Sequence, residues 1–369
     1  MIISNAFNKM LGVGLLLIPF IFRYSKSGTV RESRDSIFVL LVFSLLFLSR
    51  KLSGLPMKEL CSILALGAFA FFNVDDYQLT AISYQTVMFI SGLTYIGMIT
   101  VNSYDLTDFI LNCIVTASLI QFVWILANFA GLHPSNVFGY IFGYGRQFVN
   151  VPSVQATGSL LNIGLTGAHF ALSIPAFFRG KLHYLAIIPL TGAILTGSSM
   201  AIASAVGVVL YYGWLKMNFN KYIPWMALLV SGIFYYFTSL GNSTLLSDTH
   251  RKVVWQTTMD LFMRSGDLLT GFGLGHFSIY FHKYFIINNY AFRSTHNEYI
   301  QMLYNFGIMG SVLILFWLFK AIKNQKNPIY LCGIFAMSIN CYGNFMFHIS
   351  PLVMISLYYW GMCLRKDYV

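Results

Sequence analysis

The sequence predicts an all-α polytopic integral membrane protein of about twelve transmembrane helices, between ten and twelve, with one large polar loop near the C-terminal end. Three observations predict it. Of 369 residues, 57% are hydrophobic and only 9% are charged, and mean hydropathy is +0.67. A soluble domain is about 25% charged, so this chain has too little charge to coat a surface facing water. The apolar residues fall into runs on the scale that crosses hydrocarbon, about 20 residues or somewhat fewer when the flanks snorkel. Aromatic residues, 17% of the chain, crowd the ends of those runs, where rings sit at headgroup level.

The runs centre, in order, on 6–23, 36–49, 58–73, 79–100, 106–130, 158–177, 182–197, 199–217, 222–240, 298–319, 328–346 and 350–364. The first ends in IFRYSK without a small-residue cleavage site, so it reads as a retained helix. The second and third are short, and only TGSS separates the pair at 182–217. Residues 1–240 thus carry the first nine helices, 241–297 a large loop, and 298–369 the C-terminal helices. A second long loop lies at about 131–157. Loops of this length are functional or disordered as a rule, and both are aromatic and complex in sequence, which predicts folded, functional segments.

Charge placement sets the orientation. A net charge of +11 would suit nucleic acid only if it formed a stripe on one domain. Here the cations lie between apolar runs, and no nucleic-acid partner is expected. With the large loop outside, more than half of the Lys and Arg residues fall in short cytoplasmic loops and tails, as membrane insertion favours. Arg23, Lys26, Arg31 and Arg34 in the first loop run against that rule. The remaining outer cations, Arg146, Arg251, Lys252, Arg264, Lys283 and Arg293, all sit in the two long loops. Cations held outside suit an anionic ligand. The cysteines are scattered, with no metal or disulfide spacing, and read as packing residues. No metal site or cofactor is expected.

Within the large loop, 248–263 has helical character. Val253, Val254, Thr257, Leu261 and Phe262 can share an apolar face, and Arg251 and Trp255 are an i,i+4 pair. That pattern fits an amphipathic helix lying on the membrane surface, with Arg251 either functional or simply snorkelling to lipid phosphate. GFGLGHF at 271–277 is a glycine-rich turn, either a tight turn dipping back to the membrane or a phosphate nest at Gly273 and Gly275. In STHNEY, Ser294 or Thr295 can cap the next helix, with Glu298 completing a capping box. His296 then stands at a helix mouth, where the positive dipole favours the neutral imidazole that a general base needs. The plainer alternative is an interfacial histidine. Asp75 and Asp76 read as solvated. Asn162, Gln155, His169, Asn340, Asn344 and His348 lie at membrane depth, where helix–helix hydrogen bonds are the ordinary use. Tyr280, Tyr284 and Tyr290 suit either loop packing or stacking on sugar faces.

The order of these features, Arg251 four residues before Trp255, then LLTGFGLGHF, then STHNEYIQMLYNFGIMG, resembles the O-antigen polymerase and O-antigen ligase superfamily of bacterial envelope glycosyltransferases. Upstream, GRQFVNVPSVQATGSLLNIG is similar to the family's arginine-bearing loop and the helix start at Gly158 and Asn162. Where the family often carries Ser-Arg-Gly, this chain reads TGSSMAIAS without arginine.

The resemblance implies a GT-C-like, metal-independent glycosyltransferase of the bacterial inner membrane, acting on its outer face. Its substrate would be an undecaprenyl-diphosphate-linked oligosaccharide held among membrane lipid, with flippase and chain-length regulator proteins as partners. His296 matches the family's essential histidine and Arg251 its large-loop arginine. Arg146, Arg264, Arg293, Asn297, Gly273 and Gly275 are candidates to bind the pyrophosphate or glycan. The short chain and the missing arginine favour a polymerase of glycan repeats over a ligase that moves the glycan to lipid A-core. A transporter or flippase is the rival outside the enzymes, although related halves, which transporters show, are not visible here.

Overall fold

The computed structural model describes residues 2–20, 79–101, 107–132, 156–240, 249–278 and 294–365, with isolated positions between them. Its helices are α1 (Ile2–Leu17), α2 (Leu79–Val101), α3 (Thr107–Phe129), α4 (Ile163–Phe177), α5 (Ile187–Leu195), α6 (Ser199–Lys216), α7 (Ile223–Leu240), α8 (Thr249–Arg264), α9 (Glu298–Asn324), α10 (Pro328–Asn340) and α11 (Ser350–Leu364). These match ten of the expected runs, while 36–49 and 58–73 lie outside the described residues save a few positions. A two-residue hairpin interrupts the helical pattern. It pairs Ile286 with Ala291 and Ile287 with Tyr290 in the large loop.

Helices α4, α10 and α11 form the centre. Every residue of α11 is buried, as is α10 from Tyr330 to Asn340. A helix apolar on all sides has no stable place except inside a bundle. Around this core, α6 packs on α4 and α10, α3 on α1 and α4, and α2 and α9 on α11. On the outside, large apolar side chains face away from the protein, among them Val123 of α3, Leu210 of α6, and Val312 and Phe316 of α9. Such a belt suits hydrocarbon, not water. Asp108–Phe129, Ser199–Lys216 and Glu298–Asn324 are long and apolar enough to cross a membrane, and the other apolar helices are shorter. This is the fold of a helical membrane protein.

Several expected boundaries move, each for a local reason. The run at 158–177 becomes helical only at Ile163, because Asn162 is the cap and accepts from Leu165 N–H at 3.1 Å. The run at 182–197 opens as a 3-10 segment, Gly180–Ala186, and turns α-helical so that Pro189 falls in the first turn, where its missing N–H costs nothing. The run at 328–346 stops at Asn340. A turn follows through 341–348 before α11, and that turn positions the site described next.

Candidate active site

Helix α8 presents Arg251 and Trp255 on one side, one turn apart. Trp255 is buried, and its indole N–H donates to the carbonyl of Thr295 at 2.7 Å. Half-buried Arg251 donates from Nη1 to the carbonyl of Gly343 at 3.0 Å. The pair therefore ties two separate strips of chain, the residue before His296 and the 341–348 turn, to a single helix face. The apolar side of α8, Val254 and Phe262, packs on Phe277 and Tyr304. Its apolar face points into the protein, which corrects the expectation of a helix resting on lipid. The buried set is Val254, Trp255, Thr258 and Phe262, rotated from the set the pattern suggested, because Trp255 is an anchor.

His296 has φ +56°, a conformation that a non-glycine residue holds only when its surroundings impose it. The surroundings are explicit. Thr295 N–H donates to Gln301 Oε1 at 3.0 Å, and Thr295 Oγ1 donates to Asn297 O at 2.6 Å while accepting from Asn297 N–H at 3.2 Å. The half-buried imidazole then stands edge-on to Phe345, ring centroids 4.6 Å apart. His296 and Arg251, expected together from their motif, thus meet on one turn, at Phe345 and Gly343.

The cap of α9 differs from expectation. Asn297 is the N-cap, with Oδ1 accepting from Tyr299 N–H at 3.0 Å and Ile300 N–H at 3.2 Å. Its carboxamide oxygen serves the helix, so the structure gives Asn297 a capping place. Neither Ser294 nor Thr295 caps, and Glu298 makes no capping box. The Glu298 carboxylate is buried and accepts from Phe347 N–H at 2.7 Å, with His348 Nε2 at 4.0 Å from its second oxygen. Its own N–H donates to Cys341 O at 2.8 Å.

The glycine-rich turn docks on a break in α9. Gly307 has φ +63° and ψ −169°, and the chain from 268 to 273 runs against it backbone to backbone. Phe272 and Gly273 N–H donate to the carbonyls of Tyr304 and Asn305 at 2.8 and 2.9 Å, and Ile308 and Met309 N–H donate to those of Leu268 and Leu269. A side chain at Gly271 or Gly307 would strike the other strand's backbone. This geometry is the tight turn, and it leaves the amide of Gly273 turned to Asn305 instead of to a phosphate. Gly275 is buried beside it.

Arg264 stands exposed at the far end of α8, roughly 20 Å along the axis from Arg251, and is not brought to His296. Arg146 and Arg293 lie outside the described residues. Sequence reasoning missed the 341–348 turn. Its signal was present in CYGNFMFH, where Gly343, Asn344 and His348 break the continuity of two apolar runs.

Beneath the site lies a cavity of about 200 Å³ between α2, α9, α10 and α11. Met88, Phe89, Leu93, Phe306, Leu318 and Leu357 supply apolar walls, and Glu298, Gln301, Asn305 and His348 also line it. Among the described residues no group of three His, Cys, Asp or Glu could hold a metal ion.

Residues 184–315 match the family model described as O-antigen ligase. The match contains Arg251, Trp255, the glycine-rich turn and His296, and it ends inside α9. No curated protein matches the chain.

Proposed function

We propose, from the match of residues 184–315 to the family model described as O-antigen ligase, that the chain polymerises polyprenyl-diphosphate-linked oligosaccharide repeats on the outer face of the bacterial inner membrane. The observation that carries this reading is the meeting of His296 and Arg251 on one turn at a helix mouth. It pairs a base with a cation at the edge of an apolar bundle, as transfer from an anionic lipid donor requires.

In the proposed reaction, a sugar hydroxyl of the acceptor attacks the anomeric carbon of the donor while the His296 imidazole takes the hydroxyl proton. A new glycosidic C–O bond forms, the bond from that carbon to the diphosphate oxygen breaks, and the lipid diphosphate leaves with the electron pair. Arg251 stabilises the charge growing there. A guanidinium carries five N–H donors in a fixed fork, and the bond to Gly343 fixes its plane. The cavity under Glu298 takes part of the donor's hydrocarbon chain, its walls matching a prenyl segment in chemistry. Arg146 and Arg293, which the sequence reading assigns to the two long outer loops, remain candidates for the diphosphate in this reading. Flippase and chain-length regulator proteins are the expected partners.

A ligase is the second reading, favoured by the description of the matching family. Deleting the protein separates the two. Surface glycan reduced to single repeats supports polymerisation, whereas free lipid-linked polymer supports ligation. Chain growth by purified protein on lipid-diphosphate oligosaccharide excludes pure transport. Reporter fusions that put 241–297 in the cytosol would remove the proposal altogether.

A further inference from the structure

The turn at 341–348 lies beyond the residues that match the family model, yet it touches each proposed catalytic group. Gly343 O receives Arg251, and Phe345 carries the His296 ring. Two further contacts join the same turn to Glu298. Its carboxylate accepts from Phe347 N–H at 2.7 Å, and its backbone N–H donates to Cys341 O at 2.8 Å. We infer that Glu298 is a positioning residue, which clamps the 341–348 turn to the head of α9 and so sets where His296 and Arg251 stand.

The chemistry supports a clamp over a packing role. Glu298 is 7% exposed and lines a cavity whose walls are apolar. An apolar side chain would fill that place without the cost of burying a carboxylate, and such a burial is tolerated only where hydrogen bonds satisfy the oxygens. The Phe347 amide satisfies one oxygen, and the His348 ring lies 4.0 Å from the other. The first turn of α9 adds a favourable dipole for negative charge, and the Glu298 N–H is one of the donors that a helix start leaves without an intrahelical acceptor. Backbone and side chain of one residue thus reach opposite ends of the turn. His296, two residues earlier at positive φ, has Phe345 from the middle of that turn as its ring contact. A turn released at Phe347 would carry both Phe345 and the Gly343 carbonyl with it. No pairing within α9 could replace this clamp, because the turn follows a complete intervening helix.

The inference rests on the function proposed above for its consequence, although not for its geometry, and the test separates the two. Glu298→Gln keeps a carbonyl oxygen at full reach without the charge. Glu298→Asp keeps the charge one methylene short. Both are compared with the parent in full-length protein by hydrogen exchange of the 343–348 amides, and by turnover of polyprenyl-diphosphate-linked oligosaccharide. The clamp predicts near-parental exchange in Glu298→Gln and exchange roughly tenfold or more faster in Glu298→Asp. Turnover follows the same order, with kcat reduced about a hundredfold in Glu298→Asp and KM little changed, the signature of misplaced groups. The reverse order, or exchange equal within about twofold in all three proteins, overturns the clamp. If His296→Ala leaves turnover intact, the proposed function falls, while the exchange order still decides the role of Glu298.

Discussion

The indole N–H of Trp255 donates to the carbonyl of Thr295, buried and 2.7 Å away, so a helix from one end of the large loop holds the residue that precedes His296 at the other. The bond spans 40 residues and explains why an arginine and a tryptophan one turn apart belong together. One anchors the histidine strip, the other the turn beneath it.

Trp255→Phe keeps the packing on α8 but leaves the Thr295 carbonyl without this donor. A buried carbonyl so stranded costs about 1–3 kcal/mol. The expected outcome is a lower unfolding temperature, together with glycan synthesis reduced beyond what the membrane level of the variant explains. Wild-type synthesis at normal level would detach the indole from the site.

Arg251→Lys retains one positive charge and loses the planar fork. An ammonium cannot hold Gly343 O and a phosphate with the same fixed geometry, so activity falls by about tenfold or more, and Arg251→Ala abolishes it. Arg264→Ala, at the opposite end of α8, leaves the glycan profile unchanged. The profile of surface glycan in a complemented deletion strain reads all three.

Asn297→Asp and Asn297→Ala distinguish a cap from a ligand contact. Aspartate caps as well as asparagine, whereas alanine costs about 1 kcal/mol. Near-normal stability and glycan length in the aspartate variant, with a modest loss of stability in the alanine variant, are expected. A dead Asn297→Asp that is folded as stably as the parent would assign the amide to substrate.

Gly307→Ala places a methyl group against the backbone of Leu269 and Gly271 at a positive φ. Strain and overpacking together cost about 3 kcal/mol or more, and the variant should fail to accumulate in the membrane. Gly266→Ala meets nothing within 4 Å and is expected within about 1 kcal/mol of the parent. Immunoblots of membrane fractions and thermal unfolding check the pair.

What could be read from residues alone was whatever depends on neighbours in the chain. Apolar runs imply helices because the period and length of burial are local properties, and ten runs have helices in the structure. The start of α9 beside His296 and the helix carrying Arg251 were legible for the same reason. The cap of α9 was placed two or three residues too early, since Ser, Thr and Asn all cap and only the backbone decides which one turns. The destination of the Glu298 carboxylate and the break at Gly307 were not legible at all, and the signal at 341–348 did not say what that turn would touch. Their partners lie roughly 35 to 90 residues away, and which backbone amide meets which carboxylate or carbonyl is settled only when separate helices pack. Composition chose lipid as the solvent; packing chose the turn on which a histidine and an arginine meet.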